Sequence, residues 1–173
     1  MRHRRAAIGL AATVVLAGTV IVAATQSSAA PDSVQPIAFP HDLHAGNSQI
    51  PCEYCHTSVD RSPDAGIPSV QVCAGCHLAA GQPLFRRDSA GIQLLARYWN
   101  EGRPIPWVRI HDLPDHAHFP HMRHVKAGLE CQECHGPVET MREIEQQQPL
   151  WMGWCIQCHR ERQVRTDCAV CHY

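Results

Sequence analysis

Aromatic residues are scarce here: Phe, Trp and Tyr make up only 6% of the 173 residues. With 13 prolines and 11 glycines as well, the sequence has too few large side chains to fill an ordinary core, so something else must fill it. An excess of positive charge is also absent. The 15 Lys and Arg face 16 Asp and Glu, and three of the former (Arg2, Arg4 and Arg5) stand before an apolar run, which leaves 12 against 16. Nothing in that balance suggests nucleic acid. There is a single long hydrophobic run, strongly apolar from Ala6 to Ala24 inside an uncharged stretch that reaches Ala30. No second run is present from which one chain could build a pocket within a bilayer. Cysteine, finally, is missing from every position outside one pattern.

That pattern is Cys-x-x-Cys-His, and five copies use all ten cysteines: Cys52-Cys55-His56, Cys73-Cys76-His77, Cys131-Cys134-His135, Cys155-Cys158-His159 and Cys168-Cys171-His172. Two thiols at this spacing can add to the two vinyl groups of one haem, and the histidine that follows is placed to ligate the iron from below. Cys-x-x-Cys alone would also suit structural zinc or a disulfide. Neither has a reason to place histidine directly after the second cysteine in every copy. No alternating strand and helix pattern surrounds any copy, which sets aside a thioredoxin-like redox motif. The expectation is five covalently bound haem c groups, with His56, His77, His135, His159 and His172 as proximal ligands.

The haems then supply the missing core. Residues 31–173 provide roughly 29 residues per haem, enough for short α-helices and loops wrapped around packed porphyrins, with little β structure. The expected fold class is a multihaem cytochrome c with one N-terminal transmembrane helix. Segment 6–24 has about the length needed to span a bilayer and exceeds the usual signal-peptide core. The arginines before it keep the N-terminus in the cytoplasm and place the haem domain on the periplasmic or outer side. A cleaved export signal ending near Ser28-Ala29-Ala30 is the alternative for residues 1–30, and it leads to the same compartment.

The chain repeats itself once. Phe39-Pro40-His41-Asp42-Leu43-His44 precedes the first pair of motifs, and Phe119-Pro120-His121-Met122-Arg123-His124 precedes the second. Two-haem units are expected at about 37–80 and 117–160, with a haem-free insertion at 81–116 and the fifth haem at 161–173. Residues three apart on a short helix share a face one turn along. One imidazole of each pair can therefore serve its own unit's haem while the other reaches a neighbour. His41, His44, His121 and His124 are the expected distal ligands. For the fifth iron, Met152 or Met141 is the first expectation, with His111 behind them. His116 and His118 are expected at the surface or beside propionates.

Phe-Pro-His-x-x-His before a haem motif resembles the class III multihaem cytochromes. The longer run Ile105-Pro106-Trp107-Val108-Arg109-Ile110-His111-Asp112-Leu113-Pro114-Asp115-His116, with Cys131-Gln132-Glu133-Cys134-His135-Gly136-Pro137-Val138-Glu139 and Pro149-Leu150-Trp151-Met152-Gly153-Trp154-Cys155, is more particular. It is similar to the membrane-anchored pentahaem subunit of alternative complex III. That resemblance implies an electron-transfer subunit and no enzyme of its own. Electrons would come from a quinol-oxidising membrane complex and go to a periplasmic cytochrome c or a terminal oxidase. It also implies partners: an iron–sulfur subunit of molybdopterin-enzyme ancestry, integral membrane subunits holding the quinol site, and a monohaem cytochrome c.

Two other functions fit parts of the pattern. A membrane-anchored multihaem quinol dehydrogenase feeding a periplasmic reductase has a similar size and a single helix, but would bind quinol itself. A nitrite- or hydroxylamine-converting enzyme needs an iron with an open position. All five motifs end in His, no Cys-x-x-Cys-Lys variant occurs, and candidate distal ligands outnumber the irons.

Overall fold

The computed structural model describes residues 35–173. The 6–24 segment and the boundary at residue 30 lie outside them. Among the described residues no helix is long and apolar enough to cross a membrane.

Helices are short and sheet is minimal. A π-helical turn at Asp42–Asn47 is followed by α1 (Cys52–Cys55), α2 (Val70–His77), a two-residue antiparallel hairpin of β1 (Leu78–Ala79) and β2 (Gln82–Pro83), and α3 (Ala90–Asn100). Then come α4 (His121–Lys126), α5 (Gln132–His135), a 3-10 turn at Val138–Thr140, α6 (Met152–Glu161) and α7 (Cys168–Cys171).

Every Cys-x-x-Cys-His copy lies in a helical turn. In the first, third and fifth copies the histidine N–H donates back to the carbonyl of the first cysteine, from His56 to Cys52, His135 to Cys131 and His172 to Cys168, at 2.9, 3.0 and 2.9 Å. The second and fourth copies sit within the longer α2 and α6. Helical spacing puts the two thiols on one face, three residues and about one turn apart.

A small apolar cluster supports the second motif. Val70, Ala74 and Leu78 from α2 and β1 pack with Leu95 and Ala96 of α3 and with Ile105, and Cys73, Tyr98 and Trp107 lie partly buried against them. The segment between the two units thus supplies an amphipathic helix whose apolar stripe covers α2. Val59 is the remaining buried apolar side chain among the described residues, and no large side chain there is wholly enclosed. Trp151, Met152 and Tyr173 are at least 65% exposed. Side chains alone therefore do not make an interior of ordinary size, as the composition implied.

The two Phe-Pro-His-x-x-His copies adopt different turns. The second is the α-helical α4, whereas the first is the π-helical turn. In the first copy Gly46 lies against the Glu139 carbonyl, where a Cβ would not fit. The Asp42 N–H also donates to the Met141 carbonyl at 2.8 Å. The first copy is in this way pinned against the 3-10 turn of the second unit.

Candidate functional site

Histidine geometry around the motifs is repeated almost atom for atom. Phe39 stacks on His44 with ring centres 4.3 Å apart and meets His41 edge-on at 4.7 Å. Phe119 stacks on His124 at 4.2 Å and meets His121 edge-on at 4.8 Å. The Nδ1–H of His44 donates to the Pro40 carbonyl at 2.9 Å, and that of His124 to the Pro120 carbonyl at 3.0 Å. A ring held this way by its Nδ1 has a fixed tautomer and keeps its Nε2 lone pair free for a metal.

Each held ring faces a motif histidine. His44 stands 6.0 Å from His77, His124 stands 6.0 Å from His159, and His121 stands 6.3 Å from His135 with ring planes 7° apart. One iron between two imidazoles sets ring centres about 6 Å apart, taking about 2.0–2.1 Å for each metal–nitrogen bond and about 1 Å from nitrogen to ring centre. The spacing suits that arrangement and is too wide for direct stacking.

Motif histidines are braced in the same way. His56 donates through Nδ1 to the Gly66 carbonyl at 2.8 Å, His159 to the Arg165 carbonyl at 2.7 Å, and His172 to the His116 carbonyl at 2.6 Å. His121 donates to the Pro63 carbonyl at 3.0 Å, which ties the first unit's loop to the second unit. The Nδ1 atoms of His41 and His77 and the Nε2 of His111 are buried without a partner.

Burial keeps several of these imidazoles neutral, which is the form that ligates. It lowers His41 to about 4, with His56 and His44 adding, and His135 to about 4, with His111, His121 and His56 adding. It also lowers His77, with His44 next, and His124.

The thiols are all unpaired. Burial raises the pKa of Cys55, Cys134 and Cys155, and in each case a cysteine of the next motif contributes: Cys76 acts on Cys55, Cys158 on Cys134 and Cys171 on Cys155. The Cys131 thiol, pushed up to about 11, has Cys52 as its neighbour after burial itself. Motifs therefore adjoin in the order second, first, third, fourth, fifth. An Arg162–Glu133 ion pair links the fourth to the third. Among the described residues no three His, Cys, Asp or Glu side chains converge as a metal cluster. Two thiols beside one braced imidazole fit a thioether-linked haem and leave a tetrahedral zinc site short of ligands.

Matches to known proteins agree with this. Residues 117–173 match the family described as cytochrome c7 and related cytochrome c. That segment is similar to the cytochrome c7 family. The chain is also similar to the menaquinone reductase multihaem cytochrome c subunit of Nitratidesulfovibrio vulgaris, 30% identical over 139 residues that make up 80% of this chain and 57% of the relative. The chain thus spans a little over half of that relative's length. The match over residues 117–173 and the ten cysteines point to covalently bound haem c.

The remaining candidates fall in different places. His111 meets His135 edge-on at 4.4 Å, too close for a metal between them, and is held neutral by burial with His121 next. Met141 lies beside Gly136. Met152 opens α6 one turn before Cys155 and is 65% exposed. His116 lies 5.7 Å from His172 with ring planes 23° apart, and its carbonyl accepts from the Nδ1–H of that ring. His118 stacks on Tyr173 at 4.5 Å, and its N–H donates to the Cys171 carbonyl. The bracing roles of the Gly66, Arg165 and His116 carbonyls have no sequence signal, because they belong to the backbone.

Proposed function

We propose that the chain is a pentahaem electron-transfer subunit of a membrane quinone-linked oxidoreductase complex, carrying electrons between that complex and a c-type cytochrome or oxidase on the outer side. The observation that supports this best is the set of facing, carbonyl-braced imidazole pairs beside thiol pairs, His44 with His77 and His124 with His159. Haem c bound there would supply one-electron chemistry. Of the protein groups, His77, His135 and His159 would hold the irons together with His44, His121 and His124 respectively opposite them. His41 would serve the site of His56, whose imidazole acts on its charge. Met152 serves the site of His172, because it shares the face of Cys155, whose thiol adjoins Cys171. Relay order follows the adjacency of the motifs, so the second and fifth are the ends.

Alternative complex III is the assembly in which we place the chain, with residues 6–24 as its anchor and an iron–sulfur subunit, membrane quinol-site subunits and a monohaem cytochrome as partners. A second reading is favoured by the relative in Nitratidesulfovibrio, which is a subunit of a menaquinone reductase. There the same relay would run toward the quinone. One experiment separates these from a quinol dehydrogenase. The purified, partner-free chain should take electrons from dithionite and from a reduced c-type cytochrome but not from menaquinol. Membranes containing the partners should restore the quinol reaction. Turnover with menaquinol by the isolated chain would contradict the proposal.

A further inference from the structure

The pairs His44/His77 and His124/His159 share their ring spacing and the bracing of the distal ring but differ in the bracing of the motif histidine. Both have ring centres 6.0 Å apart, both distal rings carry a stacked phenylalanine, and both distal Nδ1–H groups donate to the carbonyl of a proline four residues upstream. On the motif side they part. The His159 Nδ1–H donates to the Arg165 carbonyl at 2.7 Å, and the loop after α6 is closed over it by a Val164 N–H bond to the His159 carbonyl at 2.8 Å. His77 instead runs into the β1–β2 hairpin. Its own carbonyl accepts from the Leu84 N–H at 2.7 Å, and its Nδ1 is buried without a partner.

We infer that the Arg165 carbonyl is a potential-setting contact, which places the fourth-motif haem at a lower midpoint potential than the haem at the second motif. A hydrogen bond from Nδ1 to a carbonyl raises the basicity of the other ring nitrogen, and a more basic axial imidazole stabilises the ferric state. Both ligands at the fourth site are braced in this way, but only one at the second. Ring spacing, the stacked phenylalanine and the distal Nδ1 bond are common to the two sites, so the difference in bracing falls on the motif histidine. Arg165 acts through His159 as a positioning residue. With the relay order second, first, third, fourth, fifth, the contact makes the two halves of the relay unequal.

The inference rests on the ligand pairing proposed above, and the test separates the two. Redox titrations of the holo chain are followed by optical and EPR spectroscopy in the wild type, His44→Ala and His124→Ala. If the pairing holds, each variant keeps five haems by pyridine haemochrome and turns one haem high-spin. The low-spin component lost in His124→Ala should then titrate below the one lost in His44→Ala. Equal or reversed potentials with the spin change intact would overturn the inference alone, whereas no spin change in either variant would overturn the pairing. Deleting Val164, which shortens the loop carrying the Arg165 carbonyl, should raise the potential of the lower component and leave the His44 component unmoved. An unmoved lower component in a folded, fully loaded deletion protein would count against the contact. If the deletion protein does not mature, the wild-type ordering of the two components decides.

Discussion

At the scale of single residues, the facing histidines carry the most direct consequence. Replacing His44 or His124 by alanine removes an imidazole whose Nε2 is left free by its Nδ1 bond to a proline carbonyl. Each variant is expected to convert one haem of five to a five-coordinate, carbon monoxide-binding form, read as a high-spin EPR signal. His118→Ala should leave the spectra unchanged, since that ring stacks on Tyr173. Met152→Ala should turn one haem high-spin, and an unchanged spin state would remove Met152 from the ligand set. The candidate thiols and motif histidines were legible in the sequence because covalent attachment requires contiguous thiols and imidazole. The bracing was not. It depends on the carbonyls of Pro63, Arg165 and His116 approaching from separate loops, and a carbonyl leaves no mark on residue type.

Elements position these residues through very little conventional packing. The sequence marked 81–116 as a haem-free insertion but did not reveal its use: α3 lays Leu95 and Ala96 on α2, which carries Cys73, Cys76 and His77. Leu95 is 4% exposed, so Leu95→Ala should cost about 2–5 kcal/mol by opening a cavity. Thermal denaturation would show it, with the second-motif haem the first to change its spectrum. Gly136, directly after His135, has φ 71°, and a Cβ there would lie 2.6 Å from Gln147 Cγ. Gly136→Ala should therefore destabilise the protein by at least about 1–2 kcal/mol, the cost of left-handed backbone to a residue with a side chain, as measured by chemical denaturation of the holo form. The π-helical form of the first His-x-x-His copy was hidden for a similar reason. That turn lies against the Glu139 carbonyl, nearly a hundred residues away along the chain.

For the whole molecule, the shortage of buried side chains is the governing fact. A cluster of six buried apolar residues cannot offset the conformational entropy of ordering about 140 residues, at roughly 1–2 kcal/mol each for the backbone alone. Bound haem then has to supply the difference, as metal does in small metal-dependent domains. Expression without haem attachment should yield a chain with little helical circular dichroism, and a cooperative thermal transition in that haem-free chain would contradict the account. The class of fold was legible because composition ruled out an ordinary core. Relay order was not, since it rests on thiols such as Cys52 and Cys131 that the chain brings together over a long loop. The central claim is that all five motifs carry haem. Intact mass of the purified chain, with pyridine haemochrome per polypeptide, tests it most directly: five covalent haems per chain are expected, and four or fewer in fully matured protein would contradict it.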